Sequence, residues 1–482
     1  MSKVKKSQEV DYDIVIAGAG IAGMAAAASA AESAEKIGEK ISILVIDRAD
    51  EKNYGGLSRW TGAFFQLEND FSISPMLEKE FIEFSKGKVD LKLLKTFLGN
   101  ARETIEWLKE KGVEFETNIM DKTPYIAWRY NFIHPKLGGF GILSALESTA
   151  RRLGVNFAFE TTALKLMLSE DGSINGLFVR VKDGSLIKLR TSAVILTTGG
   201  CEGDLGKLAQ YLGANAYLLG MYSPGEYYNK GEGIRMVEEI GGKLAGQFGL
   251  IHVGVGDARS NAVMPVVNIF PYGILVNKRG KRFIDEGADY LPDHSNTVGL
   301  AILQQPDNLA YVICDQKINS IPNWKRAILS DHPPIICNTI EEISRIIGCS
   351  FSDLKKTIDD YNSSIKEGEF NPYRLDGKGT SGLEPPKSNW ALPLDTPPFI
   401  VYPVRAILSH TCFGVAIDER CRVLNSDDKP INGLYAAGEI IGMEYFRYVM
   451  ATSVFRACVF GKIAGKEAVN YVLNKLGEKG KN

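Results

Sequence analysis

Short apolar runs bounded by glycine open the chain. Residues 13–17, Asp-Ile-Val-Ile-Ala, read as a buried strand, and the alanine-rich stretch from Gly20 to Lys36 reads as a helix. Residues 41–47, Ile-Ser-Ile-Leu-Val-Ile-Asp, form a second apolar strand, which completes a βαβ unit. Helical patterning covers 76–112 and ends at Gly112, a C-terminal glycine signal. An amphipathic helix follows at 140–154, then a strand pair within 155–168. Residues 176–200 read as a hairpin turning at Asp183-Gly184 and leading into another buried strand.

From about 250 to 404 the texture changes to scattered prolines and short mixed strands around one clear helical stretch, 350–368. The segment 384–403 is too rich in proline for a regular core element and reads as a return linker. After it the apolar style of the first part resumes. The expected fold class is α/β with an α+β cap. A discontinuous Rossmann-like cofactor domain, 1–249 and 405–482, carries an inserted substrate-capping domain, 250–404.

The composition narrows the function. The 482 residues are 45% hydrophobic, enough for substantial cores, and 56 basic side chains nearly balance 58 acidic ones. No broad field favours nucleic acid or an anionic membrane, so a small-molecule partner is expected. The polar N-terminus lacks the apolar core of a signal peptide, and no run of eighteen apolar residues suggests a membrane span. A cytoplasmic protein is the expectation. Seven scattered cysteines form no CxxC pair, which argues against zinc, iron–sulfur and attached haem; no metal is expected.

Gly18, Gly20 and Gly23 fall between the first strand and its helix. The first permits the tight turn, the second lets a pyrophosphate approach the backbone, and the third lets the helix pack on the strand. Free N–H groups at Ile21 and Ala22, with the helix dipole, suit phosphates. Asp47, at the end of the second strand and followed by Arg48, stands 24 residues after Gly23, where a carboxylate accepts ribose hydroxyls. An adenine dinucleotide is the expected cofactor. Two later segments, TTGG at 197–200 and GLYAAGE at 433–439, resemble those flanking the ribityl chain in two-dinucleotide-domain flavoproteins. They favour FAD over NAD, and they nominate Thr198, Gly199, Gly200, Gly438 and Glu439.

With GGLSRWTGAFF at 55–65, YGILVNKRGKRFIDEGADY at 272–290 and VFGKIAG at 459–465, these strings resemble the fumarate reductase and succinate dehydrogenase flavoprotein superfamily. RFIDEGADY and PPKSNWA look most like its tricarballylate dehydrogenase branch. The resemblance implies that Gly55, Gly56, Leu57, Ser58, Thr61, Gly62 and Ala63 run along the pyrophosphate and the flavin. It also implies that Ala163 meets adenine through its backbone, and that Ser453 and Val454 offer N–H groups at the flavin O2 edge. Covalent flavin in the superfamily uses a histidine just after the paired glycines. The first histidine here is His134, so noncovalent FAD is implied.

The resemblance also marks departures. The family's clamping arginine falls near Ile269, its proton-donating arginine near Ser295 and a third arginine at Tyr448, while a histidine pair becomes Ser409 and His410. A buried carboxylate without its cation costs several kcal/mol, so fumarate and succinate are not expected substrates. Arg447, Arg129, Arg259 and Arg405 are the arginine candidates for a carboxylic substrate. Desaturation beside a carbonyl needs a base, a donor to the developing enolate oxygen and a hydride acceptor. Tyr448 is the candidate acid/base or enolate donor, with His410 and Arg447 beside it in the catalytic set. His252, His294, Tyr272 and Tyr130 are alternatives between pocket lining and ordinary structure. The expected function is FAD-dependent dehydrogenation or reduction of a carbon–carbon bond next to a carbonyl or carboxylate, with an unidentified electron acceptor. Phe270 and Tyr448 keep open a ketosteroid dehydrogenase-like enzyme for larger apolar ketones. A further alternative is an electron-transfer flavoprotein without a carbon substrate.

Overall fold

The computed structural model describes residues 8–117 and 129–479. A six-stranded sheet runs in the order Arg422–Leu424, Pro430–Ala436, Ala193–Leu196, Ile14–Ala17, Ile43–Ile46, Asn156–Ala158, parallel except for the first strand. The central strands are buried throughout, which explains their unbroken apolar runs. The Ile21–Ile37 helix packs on the Ser453–Lys479 helix. A Cβ at Gly461 would lie 2.5 Å from the Ala22 carbonyl oxygen, and one at Gly465 2.2 Å from that of Ala26. This close approach is why the first helix is built of alanine and why its residues 21–31 are all buried.

The Asp183-Gly184 hairpin forms as expected, pairing Ile174–Arg180 with Leu186–Arg190. The strand pair within 155–168 does not. Asn156–Ala158 joins the edge of the parallel sheet, while Thr162–Leu168 pairs with Ile174–Arg180 in a separate four-stranded sheet.

A third sheet is organised around two long antiparallel strands, Leu244–Asp257 and Phe399–Val415. The second begins inside the segment read as a linker and runs through Pro403. Pro403 is tolerated because the neighbouring strand on one side has ended at Val401 and the next begins at Val404. Its missing N–H falls in that gap, and its carbonyl accepts from Ala258 at 2.9 Å. The sequence boundaries at 249/250 and 404/405 thus lie within two paired strands. Beyond them the Arg282–Glu286 pair is buried, with guanidinium bonds to the Glu286 carboxylate (2.6 Å) and to the Pro385 carbonyl (2.7 Å). Lys387, fully buried, donates to the Pro271 and Gly273 carbonyls. The strings RFIDEG and PPKSNW therefore meet in the core of this region. No helix among the described residues is long and apolar enough to cross a membrane.

Candidate active site

The glycine turn after Ile14–Ala17 opens into a cavity of 280 Å³. Gly18 has φ +113°, and a Cβ there would lie 2.3 Å from the Thr197 carbonyl oxygen; a Cβ at Gly23 would lie 1.9 Å from the Gly18 oxygen. Strand, turn and helix are therefore locked together. Ser58 receives the Ile21 N–H at 3.1 Å. Asp47 receives the N–H of Ala19 and of Ala49, both at 2.8 Å, so its carboxylate is oriented before any ligand arrives. It keeps part of its surface open to the cavity, yet burial pushes its carboxyl above the ordinary range against those two bonds. Thr198 lines the same cavity, and its hydroxyl is buried beside Gly233 without a protein partner. A helix N-terminus, an oriented carboxylate and an orphaned hydroxyl along one glycine-lined groove fit an adenine dinucleotide.

The inner end is aromatic. His252, His410 and Tyr448 pack ring against ring, with centroids 5.0, 4.7 and 4.6 Å apart. Burial pushes His252 down to about 4 and His410 well below its usual value, so both imidazoles are neutral near pH 7. His410 Nδ1 meets the Ser409 hydroxyl at 3.2 Å, while its Nε2 and the Nδ1 of His252 have no protein partner. Burial raises the Tyr448 phenol. Its O–H donates to the Ser453 hydroxyl at 3.1 Å, and its oxygen accepts the Ser453 N–H at 3.4 Å. Behind this cluster His410, Cys412 and Glu444 bring ligand-type atoms within 4.8 Å of one another. Arg456, 3.1 Å from Glu444, already supplies the positive charge there.

Of the residues nominated from sequence, Gly18, Gly20, Ile21, Ala22, Asp47, Arg48, Gly55, Gly56, Leu57, Ser58, Thr61, Gly62, Ala163, Thr198, Gly199, His410, Gly438, Glu439, Tyr448, Ser453 and Val454 line the cavity. Gly23, Ala63 and Gly200 lie behind its wall. Arg447 turns away, its guanidinium 3.2 Å from Asp289 and 3.6 Å from Asp293. Arg129 faces Glu80 and Arg259 grips Asp257, while Arg405 reaches only the Ser260 carbonyl at 3.4 Å. Tyr130 bonds Asp293, Tyr272 bonds the Pro372 carbonyl, and His294 bonds the Asp285 carbonyl. Among the described residues lining the cavity, Arg48 is the one Lys or Arg, and Glu232 holds it. Tyr222, Asn229, Met264 and Phe132 also line it. They stand on loops with no periodicity, and no local signal pointed to them.

The family model of an FAD binding domain matches residues 13–452. Probable fumarate reductase Ifc3 of Shewanella frigidimarina is 25% identical over 96% of this chain and 75% of its own length. NADH:acrylate oxidoreductase of Vibrio harveyi is 24% identical over 90% of this chain, which spans only 44% of that protein. In three dimensions, the open conformation of a flavocytochrome c3 fumarate reductase superposes with a TM-score of 0.76 at 21% identity, covering 96% of this chain and 79% of that one.

Proposed function

The chain belongs to the FAD binding domain family, within the superfamily of FAD-dependent fumarate reductase and succinate dehydrogenase flavoproteins, and from that premise we propose an oxidoreductase that adds or removes two hydrogens across a carbon–carbon bond beside a carbonyl. Residues 1–249 and 405–482 are assigned to the cofactor and 250–404 to the cap over the substrate. Bound FAD supplies the two-electron chemistry. The Ala22 N–H receives the pyrophosphate, joined by that of Ile21 when the Ser58 hydroxyl it now meets yields to the ligand, and Asp47 takes the adenosine ribose. Gly56–Arg59 and the residues just after it contain no histidine, which supports noncovalent attachment.

The observation that carries the substrate reading is the charge of the inner cavity. Its polar groups include the Tyr448 phenol and two neutral imidazoles, and the one arginine among the described lining residues is already paired. A carboxylate placed there meets no unpaired Lys or Arg among the described lining residues, and an unpaired buried charge costs several kcal/mol. Tricarballylate, with three carboxylates, fits worst; a neutral carbonyl that accepts the Tyr448 proton, turned to it from the Ser453 hydroxyl, fits best. Tyr448 then stabilises the developing enolate oxygen or moves the proton at the neighbouring carbon, and His410 Nε2 orients the carbonyl. Phe64, Phe132, Tyr222, Met264 and Met450 favour a second, narrower version in which the ketone is large and apolar.

The test is anaerobic. Reduced holoprotein is mixed with a panel of neutral enones and, separately, with fumarate, tricarballylate and other polyacids, while flavin absorbance is followed. Neutral enones are expected to reoxidise the flavin and polyacids to leave it reduced. Reoxidation by polyacids alone sinks the substrate reading, and reoxidation by neither sinks the redox reading. Acid precipitation is expected to release the flavin into the supernatant, as noncovalent binding requires.

A further inference from the structure

Opposite the face of Phe399–Val415 that carries His410, Thr411 points toward two carboxylates. Its N–H donates to Glu202 Oε1 at 2.7 Å and to Glu439 Oε1 at 2.9 Å at the same time. The missing side chain of Gly200 makes this possible, since a Cβ there would stand 2.5 Å from both carboxylate oxygens and 2.0 Å from the Thr411 hydroxyl. Glu202 is completely buried, and its second oxygen has no hydrogen-bond partner. Glu439 lines the cofactor cavity, where Asn229 approaches its second oxygen at 3.5 Å.

The surrounding elements bring little positive charge. Glu226 adds a third buried acid beside Glu202, and Asp204 and the Cys201 thiol lie on the same loop. Lys207 turns to the Gly231 carbonyl at 3.5 Å. Beyond Cys412, on the far side, Arg456 is taken by Glu444. Two like charges at hydrogen-bonding range cannot both be ionised in such a site, so the pair holds a proton between its members. Burial first, and then the neighbouring Glu202, push the Glu439 carboxyl well above its usual range, in the same direction.

We propose that Glu202 and Glu439 share one proton while the bound FAD is oxidised and take up a second when it is reduced, Glu202 being a positioning residue that acts through Glu439. The charge balance is simple. Delivery of two electrons and one proton to the cofactor leaves the site one charge more negative, and the pair binds one solvent proton in response. Two electrons therefore enter with two protons. The inference rests on FAD binding alone and is independent of which carbon substrate the enzyme takes.

The test is the midpoint potential of the holoprotein between pH 6 and 9, titrated with dithionite against reference dyes. Each proton coupled to a two-electron change contributes about 30 mV per pH unit. Wild type is expected to show a segment near 60 mV per pH unit, and the double variant Glu202→Gln, Glu439→Gln, whose amides cannot ionise, only about 30 mV per pH unit. An unchanged slope in the double variant overturns the proposal. If that variant fails to hold FAD, the wild-type titration decides alone, because a slope of about 30 mV per pH unit across the whole range overturns it equally.

Discussion

Replacing Glu226 by Gln is expected to stabilise the protein, and to do so increasingly as the pH rises. Glu226 is completely buried at the short Pro224–Tyr228 helix beside the cavity. Its Oε1 accepts the N–H of Tyr222 at 2.8 Å and of Ser223 at 2.7 Å. Burial, reinforced by the charge of Glu202, pushes its carboxyl from 4.5 up to about 9 despite those bonds. Below pH 4.5 both the folded and the unfolded chain carry the proton, and pH does not affect the balance. Between that value and about 9 only the folded chain holds it, so stability falls by about 1.4 kcal/mol per pH unit and stops falling above the folded value. From pH 5 to pH 8 the loss sums to about 4 kcal/mol. The amide in Glu226→Gln accepts the same two N–H groups through one oxygen and binds no proton, so this slope disappears. The assay is calorimetric melting of the FAD-saturated holoprotein in half-unit steps over that range. The gap between variant and wild type must widen steadily with pH; parallel curves would refute the reasoning.

Three further outcomes are expected. Gly461→Ala puts a methyl 2.5 Å from the Ala22 carbonyl oxygen, and the forced separation of the two helices costs about 1–3 kcal/mol, read as a lower melting temperature. Arg282→Met takes from buried Glu286 its hydrogen-bonded cation, leaving Lys387 at 3.8 Å, and costs about 3–5 kcal/mol in urea unfolding. Adding Glu286→Gln to that variant is expected to recover part of the loss, and no recovery would argue against the charge as its cause. Tyr448→Phe is expected to keep its full FAD content while flavin reoxidation by a neutral enone slows about 100-fold or more; an undiminished rate would remove Tyr448 from the chemistry.

Local chemistry made the cofactor half of the site legible. Gly18, Gly20 and Gly23 belong to one strand–turn–helix unit and Asp47 to the strand next door, so spacing alone carried the argument, although Gly18 also backs onto Thr197 and Gly20 onto Ser58. The Asp183-Gly184 hairpin was equally local. The strands within 155–168 were recognisable as strands, yet their partners were not, because pairing depends on which sheet edge each one meets. Pro403 misled for a related reason: its cost depends on whether a neighbour needs its N–H, and the gap beside it is invisible in the chain.

The substrate half depended on long-range charge pairing. Arg447, Arg129 and Arg259 were candidates because a sequence does not reveal which carboxylate an arginine meets, and the fold gives them Asp289, Glu80 and Asp257. Glu202 carried no signal at all, since its meaning comes from Glu439, more than two hundred residues away, and from the space Gly200 leaves between them. The sequence by itself determined the cofactor class, the βαβ core and the loss of the family's arginines, all of which follow from short-range geometry or from residue identity. Only the tertiary structure decided which charges are spent on one another and which polar groups still face the cavity, because in a buried site that balance is set by neighbours brought together in space.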